Sequence, residues 1–459
     1  MKRRDIASAV IERVDYPNKG FFRVAETGET GVVKNTIPGQ EVLFRVYKNH
    51  NHHVHGHLLE VLKPSPIETR EKLCAHFGQC GGCLYQTVPY DVQLDLKTRQ
   101  LQKLMKPVLD EDSVFDGIIG SPHETGYRNK LDLSFGNEVI DGPLTLGMHR
   151  IRSRYAVLDA DTCILGHEDL RRITAAVRDY CREQELPFYN KLKHTGYLRY
   201  LMLRRSETSG EILIVLAVST QMSHDFNPLV GRLLSLPLEG TIAGIFLADD
   251  DRYADALIPD ELHCLYGRDY FYESILGLRF RISLFSFFQT NTKGAELLYE
   301  TVRKYVRESS DGLPAKPLLY DLYCGTGTIA QMLSSEAGQV TGIEIVPEAA
   351  EAARANTAMN GIENCTFYTG DVYEVLKEIG TVPDYVILDP PREGVHEKAL
   401  ARIDEFGIRN MVYVSCKATS FVRDMQYLRN RGWHVKRWTL VDMFPGTQHV
   451  ETVCLLTHS

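Results

Sequence analysis

"LLYDLYCGTGTIAQML", residues 318–333, runs from an apolar stretch into a glycine-spaced turn and out into a helical pattern. The strand ends at Asp321, and glycines at 325 and 327 let the backbone approach a ligand closely. Glu344 lies 23 residues beyond Asp321, at the end of the next strand, where a carboxylate can grip two ribose hydroxyls. The units "QVTGIEIVPEAAEAARANTAMNG", "CTFYTGDVYEVL", "DYVILDPPREG" and "NMVYVSCKATSFVRDMQYL" repeat the strand–helix alternation, and "VETVCLLTHS" adds a late strand. This predicts a doubly wound, mainly parallel sheet that binds its ligand at the carboxyl ends of the strands. Gly325-x-Gly327-x-x-Ala330 alone also fits a dinucleotide fingerprint, so a nicotinamide cofactor stays open at this point.

Working outward, 459 residues are too many for one ordinary core, and two or three domains are expected. Residues 1–62 read as short strands broken by Gly/Pro turns, the pattern of a small OB-like β-barrel that binds oligonucleotides. That stretch carries nine Lys/Arg against seven Asp/Glu, whereas the whole chain is at −8. Its histidines His50, His52, His53, His55 and His57 form either a metal site or, as the favoured reading, a solvated strand face or RNA contact. "KPSPIE" is a linker, and residues 90–280 are mixed α+β. The expected division is 1–63, 64–280 and 281–459. No apolar run approaches membrane length and the start has no signal core, so the expectation is a cytoplasmic monomer without a membrane partner.

Downstream of the glycine loop the residues become chemically specific. Asp371 follows a strand where an adenine edge would lie, and "LDPPRE" puts Asp389 and two prolines at a strand end. Asp-Pro-Pro at this distance from a glycine loop resembles S-adenosylmethionine-dependent methyltransferases. In the branch that methylates exocyclic amines the next residue is aromatic; here it is Arg392, which points to another acceptor. Cys416 stands just past an apolar strand at the same sheet edge. Methylation of C5 of a pyrimidine needs such a thiolate, because addition to C6 generates the enolate that makes C5 reactive. The saturated adduct must then lose its C5 proton, and Glu451 in "GTQHVETVCLL" is the candidate base. Cys181, Cys264, Cys365 and Cys454 read as small buried hydrophobes.

"CAHFGQCGGC" gathers Cys74, Cys80 and Cys83 within ten positions. In a reducing compartment that pattern favours metal binding over disulfides, with a fourth ligand still to be found. Four thiolates suit zinc or an iron–sulfur cluster, and the single Cys-x2-Cys pair disfavours zinc.

With "YRNK" at 127–130, "FFQTN" at 287–291, "DLYCGTGTI", "LDPPREG", "VSC" and "FPGTQHVE", the chain resembles the RNA (uracil-5-)-methyltransferase family over essentially its full length. Within that family it resembles specifically the iron–sulfur branch acting on 23S ribosomal RNA, with an N-terminal TRAM domain. The resemblance implies cofactor contacts from Gln289, Tyr323, Thr328, Glu344, Asp371 and Asp389, with Cys416 as nucleophile and Glu451 as base. Relatives often carry Asn where Thr328 stands. It also implies a 4Fe–4S cluster on Cys74, Cys80, Cys83 and Cys163, with Cys181 as the rival fourth ligand. Single-stranded or loop RNA is the expected partner, with Arg128, Lys130, Arg204 and Arg205 as candidate groove residues. Transfer RNA is the alternative substrate; a radical enzyme and a non-catalytic RNA-binding module are the rival classes.

Overall fold

Residues Leu318–Leu322 form the expected strand, third in an eight-stranded sheet. The computed structural model describes residues 1–24, 28–51, 53–253, 257–308 and 313–458. From edge to edge the sheet runs Cys365–Thr369, Gln339–Glu344, Leu318–Leu322, Tyr385–Leu388, Asn410–Ser415, Glu451–His458, Trp433–Val441 and Val114–Ile119. The first five are parallel, which suits their almost wholly apolar central strands, covered on both faces. Strand order reverses between Leu318–Leu322 and Tyr385–Leu388, the switch point at which a doubly wound sheet opens a crevice.

Two features depart from the expected pattern. Glu451–His458 runs antiparallel to both of its neighbours. Val114–Ile119, expected in the 64–280 domain, instead pairs parallel with Trp433–Val441. The helix Tyr90–Met105 goes with it, since Leu101 and Met105 are buried in the core beneath the helix Ala418–Arg429. An early segment is thus built into the late domain.

The central sheet has seven strands, in the order Val157–Asp159, Leu144–His149, Lys130–Asn137, Leu198–Arg205, Glu211–Val218, Thr241–Asp249, Glu261–Gly267. Helices Glu168–Glu183 and Asn227–Leu234 cover one face. Tyr200, Met202, Leu213, Val215 and Phe246 on the other face join the core of the C-terminal sheet. Burial on both faces is why Glu211–Val218 reads as a continuous apolar run.

The N-terminal strands form a six-stranded sheet around a core of their own that includes Phe22, Val33, Val42, Phe44 and Val54. His53, His55 and His57 lie on one strand, His53–Lys63, and the ring of Tyr47 stacks on His57 at 4.2 Å. His52 lies outside the described residues. Among those described, the three side chains close enough to share an ion are Asp249, Glu261 and His263, not these histidines.

Candidate active site

The crevice at the switch point is a cavity of about 1080 Å3. Gln289, Tyr323, Thr328, Glu344, Asp389, Cys416 and Glu451 all line it, with Arg128, Asp321 and Arg392. Asp371 does not: its carboxylate caps the helix Val372–Glu378, accepting from the amides of Tyr373 at 2.9 Å and Glu374 at 3.4 Å.

The two loop glycines have different tasks. Gly325 has φ +54°, and a Cβ there would meet only open space, so its backbone is what a ligand would touch. A Cβ on Gly327 would come within 2.8 Å of Phe367 and 2.9 Å of Ala353, so this glycine lets the helix Thr328–Leu333 seat closely. Glu344 ties the loop down, accepting from the amides of Gly325 and Val346 at 2.9 Å each. Asp321 accepts from the Ala330 amide at 2.9 Å through one oxygen, while its other oxygen is buried without a partner. Burial, helped by Asp389, raises its pKa well above the ordinary range. An orphaned carboxylate oxygen beside Glu344 and Asp389 is a fit for a cationic ligand such as a sulfonium with an α-amino group.

Cys416 and Glu451 are brought together by sheet register. Ser415 pairs with Thr452 at the end of an antiparallel ladder, and Cys416 and Glu451 are the residues adjoining that last pair, near enough for the Glu451 charge to act on the thiol. Burial pushes Glu451 up to about 8, with Asp389 adding to the effect and Arg392 opposing it. Burial likewise pushes Cys416 up to about 11, reinforced by Glu451 and Asp389 and opposed by Arg392, and it alone raises Asp389 to about 7. Arg392, at the position that is aromatic in the exocyclic-amine branch, is thus a cation acting on both groups.

The separate motifs interlock around this centre. Asn129 of "YRNK" donates to the Gln289 carbonyl at 2.9 Å and to Thr292 Oγ1 at 3.0 Å. Tyr127 donates to the Pro445 carbonyl at 2.9 Å, tying "YRNK" to "FPGTQHVE". Phe287, 67% exposed, and Phe285 stand on the cavity wall, where a base could stack.

Residues 265–459 match the tRNA (uracil-5-)-methyltransferase family. An uncharacterised RNA methyltransferase of Clostridium acetobutylicum is 42% identical over 457 residues, covering 99% of this chain and 98% of that one. The chain belongs to the RNA uracil-5-methyltransferase family. A relative from Caldanaerobacter subterraneus subsp. tengcongensis, also an uncharacterised RNA methyltransferase, is 42% identical over the full length of both chains. The fold is shared with the Pyrococcus abyssi tRNA (uracil-54, C5)-methyltransferase solved with S-adenosyl-L-homocysteine, at TM-score 0.74 and 24% identity over 98% of this chain and 100% of that one.

One expectation within this family fold needs correcting. Arg204 is buried, not on a groove: it donates to the carbonyls of Ser283 and Ser286 at 2.7 Å and of Leu284 at 3.1 Å, bracing the segment that leads to Gln289. Arg205 pairs with Asp169 at 3.1 Å and Lys130 with Asp132 at 3.1 Å, which leaves Arg128 as the cavity-facing cation of the four. Sequence reading also missed Tyr16, which reaches in from the N-terminal sheet. Burial and the charges of Glu451 and Cys416 push its hydroxyl up to about 12.

Cys83 lies close enough to Cys163, Cys80 and Cys74 for their charges to add to its burial and push it up to about 12. The Gly82 amide donates to Cys80 Sγ at 3.4 Å. Cys181 is fully buried in the helix Glu168–Glu183, and burial alone raises it, so it stands apart from this group. Tetrahedral Zn–S bonds of ~2.3 Å would hold the sulfurs roughly 3.8 Å apart. Among the described residues, no three of these sulfurs lie within 4.8 Å of one another.

Proposed function

We propose that this chain methylates C5 of uridine in RNA through a covalent bond from Cys416 to C6, with Glu451 removing the C5 proton. The observation that carries the reading is that Cys416 and Glu451 line the same cavity as the Gly325 loop, next to the Ser415–Thr452 pair that ends their shared ladder. S-adenosylmethionine, when bound, supplies an electrophilic methyl group. Glu344, Asp321 and the Gly325 backbone would hold it, with Gln289, Tyr323, Thr328 and Asp389 around it and Asp371 just outside the cavity wall.

Cys416 must first become a thiolate. Its sulfur then bonds to C6, the C5=C6 electron pair moves toward the C4 carbonyl, and C5 becomes the nucleophile that accepts the methyl group. Glu451 next takes the C5 proton; those electrons rebuild C5=C6 and expel the thiolate. A base whose pKa lies near working pH suits this step, and about 8 is in that range.

In this reading residues 1–63 form a TRAM-like RNA-binding domain, 64–280 carry a 4Fe–4S cluster on Cys74, Cys80, Cys83 and Cys163, and 281–459 do the chemistry. The single Cys-x2-Cys pair favours a cluster over zinc. Methyl transfer involves no electron step, so the cluster's role is structural or RNA-positioning. The proposed substrate is 23S ribosomal RNA, on the strength of the cysteine pattern; transfer RNA is the second reading, favoured by the description of the matched family.

One experiment tests chemistry and substrate together. Glu451→Gln should stall with RNA bonded to Cys416, visible as a protein–RNA band on denaturing gels, whereas Cys416→Ala should form none. Sequencing the trapped RNA from cells then distinguishes ribosomal from transfer RNA. A band formed by Cys416→Ala, or wild-type turnover by Glu451→Gln, would defeat the mechanism.

A further inference from the structure

The loop that delivers Glu451, residues 442–450, is held from outside its own sheet. Lys97, fully buried in the helix Tyr90–Met105, donates through Nζ to Asp442 Oδ1 at 2.7 Å, the His449 carbonyl at 3.1 Å and the Phe444 carbonyl at 3.3 Å. An ammonium has three protons to donate, and all three acceptors belong to this loop. Asp442 in turn accepts from the Phe444 amide at 3.1 Å. Gln93, on the same helix face one turn earlier, accepts from the Gly446 amide at 2.9 Å. The Gly446 carbonyl accepts from the amides of Leu84 and Tyr85 at 2.7 and 2.9 Å.

Burying an ammonium is costly unless its partners are in place, so this arrangement has a defined geometry or none. Cys416 does not depend on it, because it directly follows the strand Asn410–Ser415, which is hydrogen-bonded on both sides within the sheet. Glu451 is more exposed to it: as the first residue of the strand Glu451–His458 it follows the loop directly and is paired on one side only, with Val441, the residue just before the loop.

We infer that Lys97 is a positioning residue for proton abstraction: by tying the start of the loop to its end, it sets where the Glu451 carboxylate stands relative to C5 of the bound uridine. This rests on the reading of Glu451 as the base. Its loss should slow release of the adduct while leaving thiolate addition and methyl transfer intact. The two half-reactions then come apart in one variant.

The test uses the full-length enzyme with Lys97→Met and with Lys97→Met/Asp442→Asn. The single variant strands a buried carboxylate; the double removes that charge and keeps an acceptor for the Phe444 amide. On 5-fluorouridine RNA, where no proton can be removed, the rate of covalent trapping should stay within about twofold of wild type. On ordinary uridine RNA the adduct should accumulate and turnover should fall on the order of ten- to a hundredfold, the scale of a misplaced catalytic group. Wild-type turnover in the folded double variant would overturn the inference, as would a parallel fall in trapping and turnover. Failure of both variants to fold would overturn it too, since Lys97 would then support the domain and not the loop. Glu451→Gln is run alongside: if it gives no adduct, the reading of the base has failed, whereas adduct there but not in the Lys97 variants sinks this inference alone.

Discussion

Glu451→Gln should make the protein more stable as pH rises, at the same residue where it abolishes turnover. The free glutamate ionises at 4.5, whereas burial and Asp389 hold Glu451 protonated up to about 8. Below pH 4.5 the side chain is protonated in folded and unfolded chains alike, and it carries no penalty. Between pH 4.5 and 8 the unfolded chain releases a proton that the folded chain keeps, so stability falls; above pH 8 the loss is complete. At ~1.4 kcal/mol per pH unit this interval corresponds to about 5 kcal/mol, an upper figure because ligands and water will soften the burial. Glutamine has the same shape and never ionises, so it escapes the penalty. Thermal melts of the ligand-free wild type and Glu451→Gln, followed by circular dichroism from pH 5 to 9, should therefore diverge. From pH 5 to 8 the penalty grows by about 4 kcal/mol, and with an unfolding entropy of ~1 kcal/mol/K for a chain of 459 residues the variant should gain roughly 4 °C on the wild type. Wild-type turnover should rise over the same range, since only the ionised carboxylate can act as base. Melting curves that stay parallel from pH 5 to 9 would refute the buried, proton-retaining Glu451 on which this rests.

Glu344→Ala should weaken S-adenosylmethionine binding ten- to a hundredfold by calorimetry, because it removes a carboxylate worth ~1.5–3 kcal/mol per hydrogen bond and frees the Gly325 and Val346 amides; unchanged affinity would reassign the residue to loop packing. Anaerobically purified protein should contain about four irons per chain, and Cys163→Ala should lose them while Cys181→Ala keeps them. Stoichiometric zinc, or iron retained in Cys163→Ala, would remove the cluster from the account.

The parts of the site that were legible in the sequence share a physical reason. Glu344, Asp389 and Cys416 each sit at or just past the carboxyl end of a parallel strand, and the apolar strand itself announces that position. Glu451 is different. It begins an antiparallel strand, and its place beside Cys416 follows from the Ser415–Thr452 register, which no local pattern encodes. There the motif was readable but its neighbour was not. Asp371 shows the opposite limit: a carboxylate after a strand reads equally as a ligand contact or a helix cap, and here it caps.

What stayed hidden were charges whose partners lie far along the chain. Lys97 stands in the helix Tyr90–Met105 with no local pattern to mark it as buried; its acceptors are more than 340 residues away. Arg204 looks like one half of a basic pair on a strand, yet its neighbour Arg205 points to Asp169 while Arg204 braces the 283–286 segment. Strand alternation does predict that adjacent residues face opposite ways, so one of the two had to turn inward. What it does not predict is that the inward face, here shared with the C-terminal domain, offers three carbonyls to receive a guanidinium. Both side chains do the same work on segments that line the cavity. Each uses a buried cation to hold irregular backbone that regular hydrogen bonding leaves unsatisfied, Arg204 under the approach to Gln289 and Lys97 under the approach to Glu451. Residues whose task is to fix a loop must find its carbonyls wherever the chain brings them, and so the supporting layer of this site is written in contacts between segments far apart in the chain and not in motifs.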